Sequence, residues 1–292
     1  MFKTRIPWWD YGTKALDAQQ GAADAPQPAA DAPPEATPVA TAPRVASAPA
    51  KLIFEGTASQ PQSALALLFD LEGFSQFFSQ PDVQDYVPKF LNRIFDCISV
   101  CIDGGTAYWK GKESRMPLPG VAKPAHVKFL GDGALYLWNT GEEPGCLDET
   151  TKIYLLNRLW NLQSNFGVVL KAARDDVPVA DVPRRIRFGF AQGTVYRLGY
   201  AGDGGESEYI GYCINLASRL QHYCRELGFI ASARLGLPQD VLDENGYIKV
   251  VAKKLAGFPR EVVVVDKDEL KSLPAETRRD LFEDIAEGGG GK

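Results

Sequence analysis

Histidine is nearly missing from this chain, with two in 292 residues. The five cysteines, Cys97, Cys101, Cys146, Cys213 and Cys224, are odd in number and lack metal-ligand spacing. A zinc-type site is therefore excluded, and reduced, mostly buried thiols are expected, as in a cytoplasmic protein. Basic charge is not in surplus: the formal net charge is −5 and the pI is about 5.3. A surface that tracks nucleic-acid phosphates needs clustered Lys and Arg, so no nucleic-acid partner is expected. Lys110-Gly111-Lys112 and Lys253-Lys254 read as solvated surface. No run approaches the ~20 apolar residues of a membrane span, so no membrane partner is expected. The start, Met1-Phe2-Lys3-Thr4-Arg5, leads into Trp8-Trp9-Asp10 instead of an apolar stretch and does not read as a secretory signal.

Large side chains are also scarce in residues 21–50, which are nearly two-thirds Ala and Pro. Such a segment buries too little surface to offset its ordering entropy. Residues 1–51 are thus expected to be a flexible segment with an aromatic tip, Trp8-Trp9-Asp10-Tyr11, and 285–292 a disordered glycine-rich tail. Between them, 52–284 reads as one mixed domain. Ser63 to Leu71 is a continuous apolar run, as in a buried central strand. His126–Leu130 and Ala134–Trp138 read as a hairpin turning on Gly131-Asp132-Gly133. Asp85–Asp103 and Asp148–Lys171 carry helical apolar spacing. Arg185–Phe190, Thr194–Leu198 and Glu261–Asp266 read as strands, and Ile214–Leu227 as a helix. This order predicts an α+β fold, a ferredoxin-like antiparallel sheet covered by helices.

Three segments carry chemistry. Leu68-Phe69-Asp70-Leu71-Glu72-Gly73-Phe74-Ser75 ends an apolar strand on a carboxylate and passes through glycine into a helix start. Taken alone, such an aspartate is more often a turn or cap. Lys128-Phe129-Leu130-Gly131-Asp132-Gly133 presents Asp132 on a hairpin tip, and Asp-Gly is first of all a hairpin signal. Together, two carboxylates raised on turns of one sheet can bridge two divalent cations, an arrangement suited to phosphoryl displacement. In Gly211-Tyr212-Cys213-Ile214-Asn215-Leu216-Ala217-Ser218-Arg219, Asn215 and Arg219 share a helix face within apolar surroundings.

With Arg187-Phe188-Gly189-Phe190-Ala191-Gln192-Gly193 between them, these segments resemble, in order, the motifs of the class III nucleotidyl cyclase catalytic domain. The resemblance covers roughly residues 60–266. It implies that Asp70, Asp132 and the Leu71 carbonyl hold two divalent ions, Mn²⁺ or Mg²⁺. It implies further that amides around Gly73 and Phe74, with Arg187, grip the β- and γ-phosphates, that Asn215 orients the ribose, and that Arg219 neutralises the α-phosphate. The site in this family lies between two subunits, so a homodimer with composite sites is implied.

Base choice is implied to rest on Lys128, as in adenylyl cyclases, and on Glu208, which is neither the Asp or Thr of adenylyl cyclases nor the Cys of guanylyl cyclases. The family's further phosphate-binding lysine corresponds here to Ala256, for which Lys253 or Lys254 is a candidate substitute. Pro117–Pro124 reads as an inserted loop. With this off-pattern pair the chain is most similar to the pyrimidine nucleotide cyclases of bacterial Pycsar antiphage systems. That similarity implies UTP as substrate and a downstream cyclic-nucleotide-binding effector. ATP is the alternative substrate, and an inactive cyclase-like dimerisation or sensor domain is the alternative of another class. A diguanylate-synthesising relative is disfavoured, since no Gly-Gly-Asp-Glu-Phe hairpin occurs.

Overall fold

The structure is a computed structural model describing residues 54 and 56–285, except 111–116, 142, 144, 175, 180, 200–206 and 224. The expectations for residues 1–51, for 286–292 and for Cys224 lie outside the described residues. The first strand is β1 (Gln62–Glu72), followed by a short helix α1 (Phe74–Phe78) and a long one, α2 (Val87–Asp103). A hairpin, β2 (His126–Phe129) and β3 (Gly133–Asn139), leads to α3 (Glu149–Ser164) and α4 (Phe166–Arg174). Next come β4 (Arg185–Leu198), β5 (Glu208–Gly211), α5 (Tyr212–Tyr223) and β6 (Phe229–Ser232). The remainder is α6 (Gln239–Glu244), β7 (Tyr247–Ala252), β8 (Glu261–Asp266), α7 (Lys267–Ser272), α8 (Ala275–Leu281) and β9 (Phe282–Asp284).

The strands form one sheet ordered β2-β3-β1-β4-β6-β8-β7-β9, with β5 paired to the outer half of β4. Its first four strands, joined as β-α-β-β-α-β, give the expected ferredoxin-like α+β arrangement. All pairs are antiparallel except β4 with β6.

β1 is central because it is apolar on both faces. Leu65, Leu67, Phe69 and Leu71 face the core built with α2, α3 and α4, whereas Ala64, Ala66 and Leu68 face α5. Strand alternation then puts Asp70 on the α5 face. Small side chains there let α5 lie close to the sheet. At Gly189 of β4 a Cβ would stand 2.1 Å from the Ala217 carbonyl oxygen.

Three expected elements differ in extent. Arg185–Phe190 and Thr194–Leu198 are one unbroken strand: Gly193 marks the close approach of Tyr212 and Cys213, not a break. The helix expected over Asp148–Lys171 is two, divided at Asn165, whose side-chain amide donates to the Asn161 carbonyl. The helix expected to run to Leu227 ends at Tyr223. Pro117–Pro124 is held in place: Leu118 bridges Gly105, Val121 N–H donates to the Ile102 carbonyl, and Trp138 donates to the Ala122 carbonyl at 2.7 Å. Cys97, Cys101 and Cys213 are buried free thiols, and burial pushes the Cys97 and Cys213 thiols up to about 11, out of the reactive range.

The α5–β4 contact predicts that Gly189→Ala destabilises the fold by about 1–3 kcal/mol in urea denaturation, because the opposing atom is backbone and has nowhere to go. Gly167→Ala, at an exposed position of α4 with nothing within 4 Å of the new methyl, is expected to be neutral or up to about 1 kcal/mol stabilising.

Candidate active site

Asp70 sits near the end of β1, and its cross-strand neighbour on β4 is Arg187. The guanidinium meets the carboxylate in a bidentate pair, Nε to Oδ1 at 2.8 Å and Nη2 to Oδ2 at 2.5 Å. Both residues are more than nine-tenths buried. Burial works against the arginine's charge, but hydrogen bonding and attraction from Asp70, with the charges of Glu72 and Asp132, outweigh it and raise its pKa.

Asp132 approaches the same place from the hairpin. Gly131 takes φ +97, in the left-handed region glycine favours, and Leu130 N–H closes the turn on the Gly133 carbonyl at 2.9 Å. Gly133 pairs directly with Asp70, and a Cβ on it would stand 1.8 Å from the Phe69 carbonyl oxygen. Only glycine lets the hairpin close this tightly on β1, which puts the Asp132 backbone one residue from Asp70's partner.

Sequence reasoning gave no role to two further side chains at this sheet end. Glu72 lies two residues beyond Asp70, and its Oε2 is buried without a hydrogen-bond partner. His222, in the last turn of α5, places Nε2 3.6 Å from Asp70 Oδ2 while Nδ1 lies 3.0 Å from the Ser218 carbonyl oxygen. Glu72 was visible only as the variable position of a motif. His222 is found only once α5 is laid across β1.

The donor set at this end is carboxylate oxygen, which suits hard cations such as Mg²⁺ or Mn²⁺. Three carboxylates around one arginine leave excess negative charge, and Glu72 Oε2 is an orphaned buried acceptor; both features fit a cation site. Among the described residues no group of three or more His, Cys, Asp or Glu side chains forms a ready-made cage. Asp70 and Asp132 are therefore the protein's candidate ligands, with Leu71 next in the chain, past the last β1–β3 pair. Gly73, at φ +90, turns the chain into α1, where Phe74 packs on Phe77 and Phe78.

Asn215 and Arg219 are both on α5 and both exposed, and they line a different cleft of about 410 Å³ with Ser218, Ala256, Gly257 and Phe258. Their apolar surroundings, Leu216, Ala217 and Leu220, are the buried side of the same helix. At about 1.5 Å rise per residue, Asn215 is about 10 Å back along α5 from His222, the residue that meets Asp70. Arg219 is one turn, about 4.5 Å, back from His222, and neither Asp70 nor Asp132 is among the residues that line the cleft. The cleft includes Ala256, for which Lys253 or Lys254 was the expected substitute. Neither candidate substitute is directed there, since Lys253 Nζ donates to the Arg279 carbonyl and Lys254 pairs with Asp280.

Lys128 and Glu208, expected to read the base, are joined to each other, with Nζ 2.5 Å from each carboxylate oxygen. The β5 ribbon meets β2 here, where the His126 and Tyr209 rings also lie 4.8 Å apart, tilted at 43° to one another.

No protein-family model and no curated protein matches the chain. Among solved structures it is similar to the adenylyl cyclase CyaB from P. aeruginosa, at 16% identity over 70% of this chain and 94% of that one, with a TM-score of 0.49. It is also similar to the guanylyl cyclase Cya2, at 16% identity over 80% and 98%, with a TM-score of 0.47. The guanylate cyclase domain of RhGC from Catenaria anguillulae, in complex with GTP, is similar at 13% identity over 70% and 97%, with a TM-score of 0.41. Likenesses at this level identify no activity, so function has to be read from the residues.

The burial contrast between the two aspartates gives stability effects of different size. Asp70→Ala strands a buried guanidinium and is expected to cost about 3–5 kcal/mol in urea denaturation. Asp132→Ala, at a partly exposed turn, is expected to stay within about 0.5 kcal/mol of wild type.

Proposed function

We propose that this protein is a two-metal nucleotidyl cyclase that converts a nucleoside triphosphate, UTP first, to the 3′,5′-cyclic monophosphate and pyrophosphate. The observation that carries the reading is the convergence of Asp70 and Asp132 beside Arg187 at one sheet end. The order of the motifs along the chain supports it.

In the reaction the 3′-oxygen attacks the α-phosphorus, the bond to the β-phosphate oxygen breaks, and the 3′-hydroxyl proton leaves to solvent. Asp70 and Asp132 would hold divalent ions, which would acidify the 3′-hydroxyl and neutralise charge on the departing pyrophosphate. Arg187 takes the β- and γ-phosphates, to which a guanidinium is bidentate. The amides at Gly73 and Phe74 lie beside it. Asn215 hydrogen-bonds the ribose and fixes the 3′-oxygen in line, and Arg219 stabilises the charge that grows on the α-phosphate. Asn215 and Arg219 line a cleft that includes neither Asp70 nor Asp132; with the resemblance to class III cyclases, this supports a site built from the carboxylates of one protomer and the Asn/Arg pair of another, the active unit being a homodimer.

Glu208 beside Lys128 sets an acceptor next to a donor. Uracil presents the complement, N3–H beside a carbonyl. Adenine offers a like pattern, its amine a donor beside the N1 acceptor, so ATP is the alternative substrate and the preference for UTP rests on the resemblance to the pyrimidine cyclases. The resemblance to Pycsar cyclases extends the proposal to a messenger made during phage infection and read by a cyclic-nucleotide-binding effector.

Incubation of the protein with Mn²⁺ and each of the four triphosphates, read by mass spectrometry, is expected to give cyclic UMP fastest. Dominant cyclic AMP would move the assignment to ATP, and no cyclic product from any triphosphate would leave a non-catalytic domain. Asp132→Ala and Arg219→Ala are each expected to be inactive. Mixed and re-equilibrated, they are expected to recover about a quarter of wild-type activity, because half the dimers then hold one intact site. No recovery by mixing contradicts the composite site.

A further inference from the structure

Arg187 donates to both oxygens of Asp70, so a cation must either displace the guanidinium or share the carboxylate with it. His222 Nε2 faces the same Oδ2 at 3.6 Å. A cation arriving alone has two routes. It can displace Arg187, leaving a buried guanidinium without its partner. Otherwise it binds beside a guanidinium charge in a region of low dielectric. Both are unfavourable, even though Glu72 and Asp132 add negative charge nearby.

A polyphosphate changes the balance because it offers the guanidinium a second set of bidentate oxygen acceptors. With Arg187 transferred to phosphate, both Asp70 oxygens are released. We propose that Arg187 is an exchange latch: it neutralises Asp70 in the empty site and surrenders it only to a polyphosphate, so the cation and the triphosphate bind cooperatively. The proposal rests on the cyclase reading of the site, and it assigns Arg187 opposite effects on the two ligands. By linkage, whatever factor polyphosphate adds to cation affinity through this residue, the cation adds to polyphosphate affinity.

Mn²⁺ binding to the full chain without nucleotide, measured by electron paramagnetic resonance of the free ion, tests the latch without any turnover. Direct Mn²⁺–phosphate pairing does not contribute to that measurement. Arg187→Gln is expected to raise Mn²⁺ affinity by about tenfold or more, while weakening the binding of a non-hydrolysable triphosphate in the presence of Mn²⁺. Arg187→Lys, which keeps the charge but not the fork, is expected to fall between Arg187→Gln and wild type and guards against loss of fold. Arg185→Gln removes the same charge two residues away, where the side chain bonds the Arg225 and Glu226 carbonyls instead of Asp70. It is expected to change Mn²⁺ affinity by less than about twofold. Equal shifts in Arg187→Gln and Arg185→Gln, or none in either, overturn the latch. Adding Asp70→Asn to Arg187→Gln is expected to abolish the gain. If Mn²⁺ binds none of these proteins with or without triphosphate, the metal reading fails and the latch with it.

Discussion

The buried pair between Asp70 and Arg187 is the constraint around which this end of the molecule is arranged. β1 fills the core on both faces, which makes the strand central, yet near its end it carries a charge that water scarcely reaches. Desolvating two ions costs several kcal/mol each and is offset only by good geometry. Direct cross-strand register supplies that geometry, since Asp70 and Arg187 face each other on adjacent strands. Two glycines hold the neighbouring elements close around the pair. Gly133 presses the β2–β3 hairpin onto β1, and Gly189 seats α5 on β4. Asp132 and His222 reach the same point as a consequence of those two approaches.

Much of this was legible in the sequence where a local pattern had a single physical meaning. The apolar run at Ser63–Leu71 could only be a strand buried on both faces, and Asp-Gly between two short apolar runs could only be a tight turn. The continuity of β4 was hidden because Gly193 looks like a break from within the strand, whereas it records α5 packing outside it. Asn165 divides α3 from α4 through a side-chain bond that apolar periodicity does not register. The four-residue strands β5 and β6 were missed because they depend on partners far along the chain.

The candidate site was legible as a set of residues and not as an arrangement. Asp70, Asp132, Arg187, Asn215 and Arg219 were all identifiable by motif. Which of them share the acidic sheet end and which line the cleft with Ala256 and Phe258 is fixed by contacts between segments far apart in the chain. The pairing of Lys128 with Glu208 spans 80 residues and depends on β5 lying against β2. The fates of Lys253 and Lys254 were equally hidden, since both are turned away from the cleft by α8, an element with no strong sequence signal.

The account therefore makes the chain half of a catalyst, with a cation-binding end that waits for phosphate and a ribose- and phosphate-orienting cleft that serves the other protomer. The most direct test is a crystal structure with Mn²⁺ and a non-hydrolysable triphosphate, with metal positions taken from anomalous scattering. The account predicts a two-fold dimer in which Mn²⁺ is held by Asp70 and Asp132 of one protomer, Arg187 has moved onto the phosphates, and Asn215 and Arg219 of the other protomer meet the ribose and α-phosphate. Manganese bound away from these aspartates, or nucleotide held wholly within one protomer, contradicts it.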